Sequence, residues 1–309
     1  MRVSIVGLGK VGSALASALA IQGVCEELVL VGRRVGFREG EAHDLRHASS
    51  FFRHRISVRA GDLAATHDSD ILILSASHPA PVGSVDRTAV AAENTRLFAE
   101  LVPRLVAYSP EATILVVTNP VDVLTYHTLR WSELPRGRVL GTGTLIDSAR
   151  FRAILAERVH VHPLDLRAYI FGEHGPTQFP AVSLANIGGV RIDPAIARRA
   201  FSDAVEGGLQ AYRSKGYTSH AIAMAVCLLV EAIRDDSCIT APVSTRIDGY
   251  LGVRDVCLSV PVVVGRGGIV QWLEPELTED EVTAFHTSAE AVRRVIAATR
   301  HIEDSSSAD

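Results

Sequence analysis

The first twenty residues constrain this chain most. Arg2-Val-Ser-Ile-Val-Gly7 is a short, β-branched apolar run and reads as a buried strand. Gly7-Leu8-Gly9-Lys10-Val11-Gly12 follows at once and opens Ser13 to Ala20, a stretch rich in Ala and Leu that Gly23 stops. Three glycines at this spacing are more often accidental than not, but between a first strand and a helix they read as a phosphate-binding turn. Gly7 permits the tight turn, Gly9 lets a pyrophosphate approach the backbone, and Gly12 lets helix and strand pack closely. The helix N-terminus adds unpaired N–H groups for an anion. The turn therefore predicts dinucleotide binding.

A chain of 309 residues can bury a large core and suggests one large or two intimate domains. Its net charge of −4 argues against a general binder of nucleic acid or membrane surfaces. No apolar run approaches the roughly 18 residues of a membrane span. The early first strand leaves no room for a signal peptide, so the expectation is a cytoplasmic protein with reduced thiols. Cys25, Cys227, Cys238 and Cys257 show no C-x-x-C spacing and read as buried small hydrophobes. No metal-ligating cluster stands out.

Glu27-Leu-Val-Leu-Val-Gly32 reads as strand two, whose end should carry an acid for the ribose hydroxyls of NAD. It ends instead in Gly32-Arg33-Arg34. Two guanidiniums without a carboxylate suit a 2′-phosphate and favour NADP over NAD, the alternative being solvated surface arginines. Gly40 to His47 reads as the start of a helix, Ile56 to Val58 as a short strand, and Asp70 to Ser75 as a stronger one. A loop from Ser77 to Arg87 leads into a helix through Asn94 and Leu105. Ala112 to Thr118 is another buried strand, ending in Asn119-Pro-Val-Asp122. Strands alternating with helices predict an α/β fold, a Rossmann doubly wound parallel sheet with ligands at the strands' C-terminal ends.

After Gly141 to Ile146 the pattern changes, predicting a C-terminal α+β substrate domain, with domains at 1–143 and 144–309. Asp147 to Glu157 reads as a helix, Arg167 to Phe171 as a strand and Gly172-Glu-His-Gly175 as a turn. Ala181 to Ile192 reads as a hairpin bending at Gly188-Gly189. Long helices follow near Pro194–Ser214 and Ser219–Asp235, then a strand at Leu258 to Val264 and a last helix over Thr278–Arg300. The Ser-rich tail from His301 reads as disordered.

From Gly7 to about Arg300 the chain resembles the lactate/malate dehydrogenase family. The motifs that carry the likeness are the glycine turn, Asn119 to Asp122, Asp147-Ser-Ala-Arg-Phe-Arg152 and Gly172 to Gly175. Gly216-Tyr-Thr-Ser-His-Ala-Ile222 and Leu258-Ser-Val-Pro261 add to them. The Gly216–Ile222 stretch leans toward the lactate branch. The resemblance implies that His174 is the proton donor and that Asp147 fixes its tautomer and raises its pKa. It implies that Arg150 clamps the substrate carboxylate, Arg87 stabilises charge on the carbonyl oxygen, and Asn119 hydrogen-bonds that oxygen. Gly7, Gly9, Gly12, Gly32, Arg33, Arg34, Ser75 and Asn119 are the candidate cofactor contacts. Thr218 and Ile222 would line the substrate pocket, with Pro81 and Val82 contributed by a closing lid.

The chain departs from the family mainly in that lid. Ala80, Pro81 and Val82 stand where a side-chain selector is expected, so no cation pairs with a second carboxylate and malate is disfavoured. Ala89 replaces an acid, Pro176 follows Gly175, and Ser77 replaces a glycine. Arg152 and Arg167 occupy positions where bacterial relatives hold a sugar bisphosphate between subunits; structural salt bridges are the alternative.

The expectation is an NAD(P)-dependent L-2-hydroxy acid dehydrogenase. It would transfer hydride between NAD(P)H and a 2-oxo acid with an apolar side chain, prefer NADPH, use no metal, and form a homodimer or homotetramer. The alternatives are an ordinary NAD-dependent lactate or malate dehydrogenase, an NAD-dependent glycosidase, and a catalytically silent binding protein of the same fold.

Overall fold

A computed structural model describes residues 1–78, 87–300 and 302, with the side chains of 87–89 excepted. The first half alternates strands and helices: β1 (Arg2–Val6), α1 (Lys10–Gln22), β2 (Glu27–Val31), α2 (Val35–Ala48), β3 (Ser57–Gly61) and β4 (Ile71–Leu74). It continues with α3 (Arg87–Tyr108), β5 (Thr113–Val116), α4 (Val121–Ser132) and β6 (Val139–Gly141). These strands are continuous apolar runs because helices cover both faces of the sheet. They lie parallel in the order β6-β5-β4-β1-β2-β3, so the direction of winding reverses between β1 and β4. That reversal opens a crevice at the strands' C-terminal ends, beside the glycine turn.

The second half comprises α5 (Leu145–Val159), β7 (Leu166–Arg167), β8 (Ile170–Phe171), β9 (Phe179–Pro180), β10 (Asn186–Ile187), β11 (Val190–Arg191), α6 (Pro194–Lys215) and α7 (His220–Asp235). Then come β12 (Ile239–Asp248), β13 (Arg254–Gly265), β14 (Gly268–Trp272) and α8 (Glu279–Thr299). The last three strands are antiparallel and extend the same sheet to nine strands, joined where Ser244 of β12 faces Gly141 of β6. A side chain at Gly141 would collide with Thr125 of α4, so this seam needs glycine.

The six strands of residues 2–141 form the expected doubly wound parallel sheet, and the C-terminal half adds three antiparallel strands to its edge, so the whole sheet is mixed. Four readings of single elements change. The stretch from Gly40 is the end of a helix that starts at Val35, with Gly36 and Gly40 tolerated inside it. Arg167 to Phe171 is two short strands with different partners, since β7 pairs with β10 and β8 with β9. The hairpin is confined to β10 and β11, with a 3-10 turn over Val182–Leu184 before it. Cys238 is exposed, unlike the three other cysteines.

Burial follows the helix faces. Leu15 and Leu19 of α1 and Ala223, Val226 and Val230 of α7 belong to one apolar cluster spanning both halves of the chain. The opposite face of the parallel strands packs against Phe98, Val102 and Leu105 of α3. No single helix among the described residues is long and apolar enough to cross a membrane.

Candidate active site

The glycine turn has three distinct requirements. Gly7 holds φ +108°, and a side chain there would strike the backbone of Ala76. A Cβ on Gly12 would strike the Gly7 carbonyl, to which the Ser75 hydroxyl donates at 2.8 Å. Gly9 has ordinary dihedrals and open space where its Cβ would stand. The fold therefore needs the first and third glycines, while the second leaves room for a ligand.

Beside Gly9 lies a cavity of about 490 Å3 whose walls include Lys10, Ser13, Arg34 and Tyr217. The buried Ser13 hydroxyl oxygen has no hydrogen-bond partner among the described residues. An open glycine, an orphaned hydroxyl, a helix N-terminus and two cations fit the phosphates of a dinucleotide. Arg34 stacks on Phe37 at 4.5 Å and faces this cavity; Arg33 is exposed and lies outside its lining. Gly32 follows β2, where a Cβ would meet Leu8, and its carbonyl accepts from Arg38 at 3.1 Å. Ser77 is exposed and its hydroxyl donates to the His78 carbonyl.

The chemistry-bearing side chains converge from α5 and the turn after β8. Asp147 lies in the first turn of α5, where the helix dipole favours a carboxylate. Its Oδ2 meets His174 Nδ1 at 2.5 Å, and its Oδ1 meets Arg150 Nη1 at 3.2 Å, one helical turn on. Burial pushes the Asp147 pKa up, but the opposing pull of His174 and Arg150 wins and holds it below the usual carboxylate value.

Backbone pairing makes this geometry rigid. Thr144 Oγ1 donates to the Ile170 carbonyl at 2.5 Å, and Ser148 Oγ accepts the Ile170 N–H at 2.8 Å, tying the start of α5 to β8. Gly172, at φ +89°, exchanges two backbone hydrogen bonds with Ser259 of β13. Ser259 Oγ also accepts the Thr144 N–H at 2.9 Å. Glu173 N–H donates to Ser288 Oγ of α8 at 3.3 Å, and His174 N–H donates to Asp122 Oδ2 at 2.8 Å.

Asn119 follows β5, exposed, next to the cis Asn119–Pro120 bond. The buried Asn94 amide donates to the Asn119 carbonyl and accepts the His78 N–H, so it joins the base of the 77–87 loop to the Asn119 turn. Arg87 opens α3, but its side chain, like that of Ala89, lies outside the described set, as do Ala80, Pro81 and Val82. Thr218 is half-buried in the turn between α6 and α7, directly after Tyr217 of the cavity wall, and Ile222 is buried in the first turn of α7; neither belongs to the cavity's lining. Pro176 is exposed. Arg152 is half-buried and lies near Arg167 and Tyr169, and burial lowers its pKa.

Asn94, Asp122, Ser259 and Ser288 escaped sequence reasoning as site residues. They act on backbone groups of distant segments, and no local spacing reports such partners.

Residues 1–141 match the family model described as lactate/malate dehydrogenase, NAD binding domain. Residues 144–303 match the alpha/beta C-terminal domain of the same family. The chain is 38% identical over 306 residues to an L-lactate dehydrogenase of Thermoanaerobacter pseudethanolicus, covering 96% of this chain and 98% of that one. It is 38% identical over 301 residues to an L-lactate dehydrogenase of Salinibacter ruber, covering 94% and 95%. Among solved structures, a lactate dehydrogenase enzyme from a Medee basin deep-sea metagenome library superposes with a TM-score of 0.92 at 28% identity. That match covers 97% of this chain and 98% of its own. The chain belongs to the lactate/malate dehydrogenase family.

Proposed function

We propose that this chain is an NAD(P)-dependent L-2-hydroxy acid dehydrogenase, working mainly as a reductase of 2-oxo acids. The observation that carries the reading is the hydrogen-bonded series Arg150–Asp147–His174 at the end of β8. The nicotinamide, when bound, supplies the hydride. His174 gives the proton from its second ring nitrogen to the forming alkoxide, while Asp147 holds Nδ1 and stabilises the imidazolium. Arg150 binds the substrate carboxylate through its planar fork. Arg87 and Asn119 act on the carbonyl oxygen, where negative charge grows. Thr218, Ile222, Pro81 and Val82 line the substrate side, and the absence of a cation at 80–82 favours an apolar side chain.

Gly7, Gly9, Gly12, Gly32, Ser75 and Asn119 cradle the dinucleotide. NADP is the preferred form in this reading, supported by Arg34 and Lys10 on the cavity wall and by the lack of an acidic partner for Arg33 or Arg34 among the described residues. The second reading is an NAD-linked L-lactate dehydrogenase, favoured by the family's NAD binding domain and the relatives' name. We place the boundary between the cofactor and substrate domains at 143/144, and expect a cytoplasmic homodimer or homotetramer. Arg152 and Arg167, two neighbouring cations, form a candidate phosphate site.

The test is a fluorescence titration with NADPH and NADH, followed by turnover of a panel of 2-oxo acids with each. Tighter NADPH binding and reduction of apolar 2-oxo acids are expected. Tighter NADH binding would overturn the NADP preference, and no turnover with any 2-oxo acid would overturn the activity.

A further inference from the structure

We propose that Asp122 is a positioning residue for His174: its carboxylate fixes the backbone of the residue whose ring transfers the proton. This rests on the role of His174 proposed above. Asp122 is the second residue of α4 and only 3% exposed, so its side chain is not a solvated surface acid. Its Oδ2 accepts the His174 N–H at 2.8 Å, while Asp147 takes Nδ1 of the same residue at 2.5 Å. Two carboxylates from two different helices thus grip one histidine, one by its ring and one by its main chain.

The second grip matters because of how the turn is made. Gly172 sits at φ +89°, where a side chain would collide with Ser288, so the chain pivots sharply two residues before the histidine. The bonds to Ser259 and Ser288 hold residues 172 and 173. The bond from Asp122 acts on residue 174 itself, and a small rotation there would swing the ring away from the substrate. Misplacement by about 1 Å is enough to lose much of the rate of a positioned proton transfer.

The surroundings explain why the group is costly to keep and therefore informative. Burial raises its pKa to about 6; His174 and the Ser244 hydroxyl of β12 oppose that rise, and Glu173 adds to it. Cys257 of β13 also lies within its field. Oδ1 has no hydrogen bond of good geometry among the described residues, although the Ser244 hydroxyl is close enough to favour the carboxylate. A buried carboxylate so sparsely bonded is destabilising, and a fold without use for it would do better with an apolar side chain.

The experiment compares Asp122→Asn, Asp122→Ala and Asp122→Ser in the full chain with its best 2-oxo acid. Asparagine keeps an acceptor for the His174 N–H; alanine removes it, and serine stops a bond short of it. For Ala and Ser, kcat is expected to fall at least tenfold, with the cofactor Kd and substrate KM within about threefold of wild type. Asparagine is expected to restore kcat to within about threefold. Serine decides the matter if the alanine variant fails to fold. Wild-type kcat in Ala or Ser, or an asparagine variant as impaired as they are, would overturn the proposal. Absence of turnover in the wild type would instead overturn the dehydrogenase reading.

Discussion

At the scale of single residues, the candidate site turns on two groups, His174 and Asp122. Exchanging His174 for alanine removes the proposed proton donor but no part of the glycine turn. Turnover should fall by about 10^3-fold or more, within the range of lost general acids, while cofactor affinity stays near wild type. Steady-state kinetics beside a fluorescence titration checks both halves of that statement, and retained turnover would refute the role. Asp122 makes a separate prediction about stability. Its native pKa of about 6 lies above the ordinary 3.8, so the folded state holds a proton that the unfolded state has released between pH 4 and 6. Stability from this group is therefore greatest below pH 4 and declines as pH rises toward 6, by about 3 kcal/mol in order of magnitude. Asp122→Asn removes that dependence. The Tm of the variant relative to wild type should rise between pH 4 and pH 8, and a difference independent of pH would contradict the assignment.

At the scale of elements, the glycine turn separates fold from binding. Gly12→Ala forces a methyl group into the Gly7 carbonyl and should destabilise the protein by about 2 kcal/mol or more, read as a lower midpoint in urea. Gly9→Ala meets open space and should leave that midpoint near wild type while weakening cofactor binding at least tenfold. Equal stability losses in the two variants would show that Gly9 is needed by the chain itself. The turn was legible in the sequence because strand, glycines and helix are contiguous and local physics dictates them. So were the buried runs of β1, β2, β4 and β5, and the proximity of Asp147 to Arg150 three residues apart. The strands β12 and β14 were not, because they lie in stretches whose pattern is set by pairing with β6 and β13. Asp122 was visible within its motif, but its partner lies fifty-two residues away, and only the folded chain brings the two together.

At the scale of the whole molecule, the two halves match two domains of one family and are joined in structure. One family domain ends at residue 141 and the next begins at 144, yet β12 to β14 continue the sheet that β6 ends. Apolar residues of α1 and α7 share one core, and Tyr217 of the second half lies 4.2 Å from Lys10 and 4.5 Å from Lys215, forming part of the wall beside the glycine turn. A half that unfolded alone would expose its partner's face of that core and cut the sheet at the Gly141–Ser244 seam. Exposing so much apolar surface at once makes independent melting unfavourable. Calorimetry on the full chain should accordingly show one cooperative transition. Because the cavity proposed to hold the cofactor is walled by both halves, ligand at a hundred times its Kd should shift that single transition as a whole, by about 2.7 kcal/mol of stability. Two transitions, with only the one involving residues 1–143 moved by ligand, would mean that the seam is weak and that Tyr217 contributes nothing to the bound state.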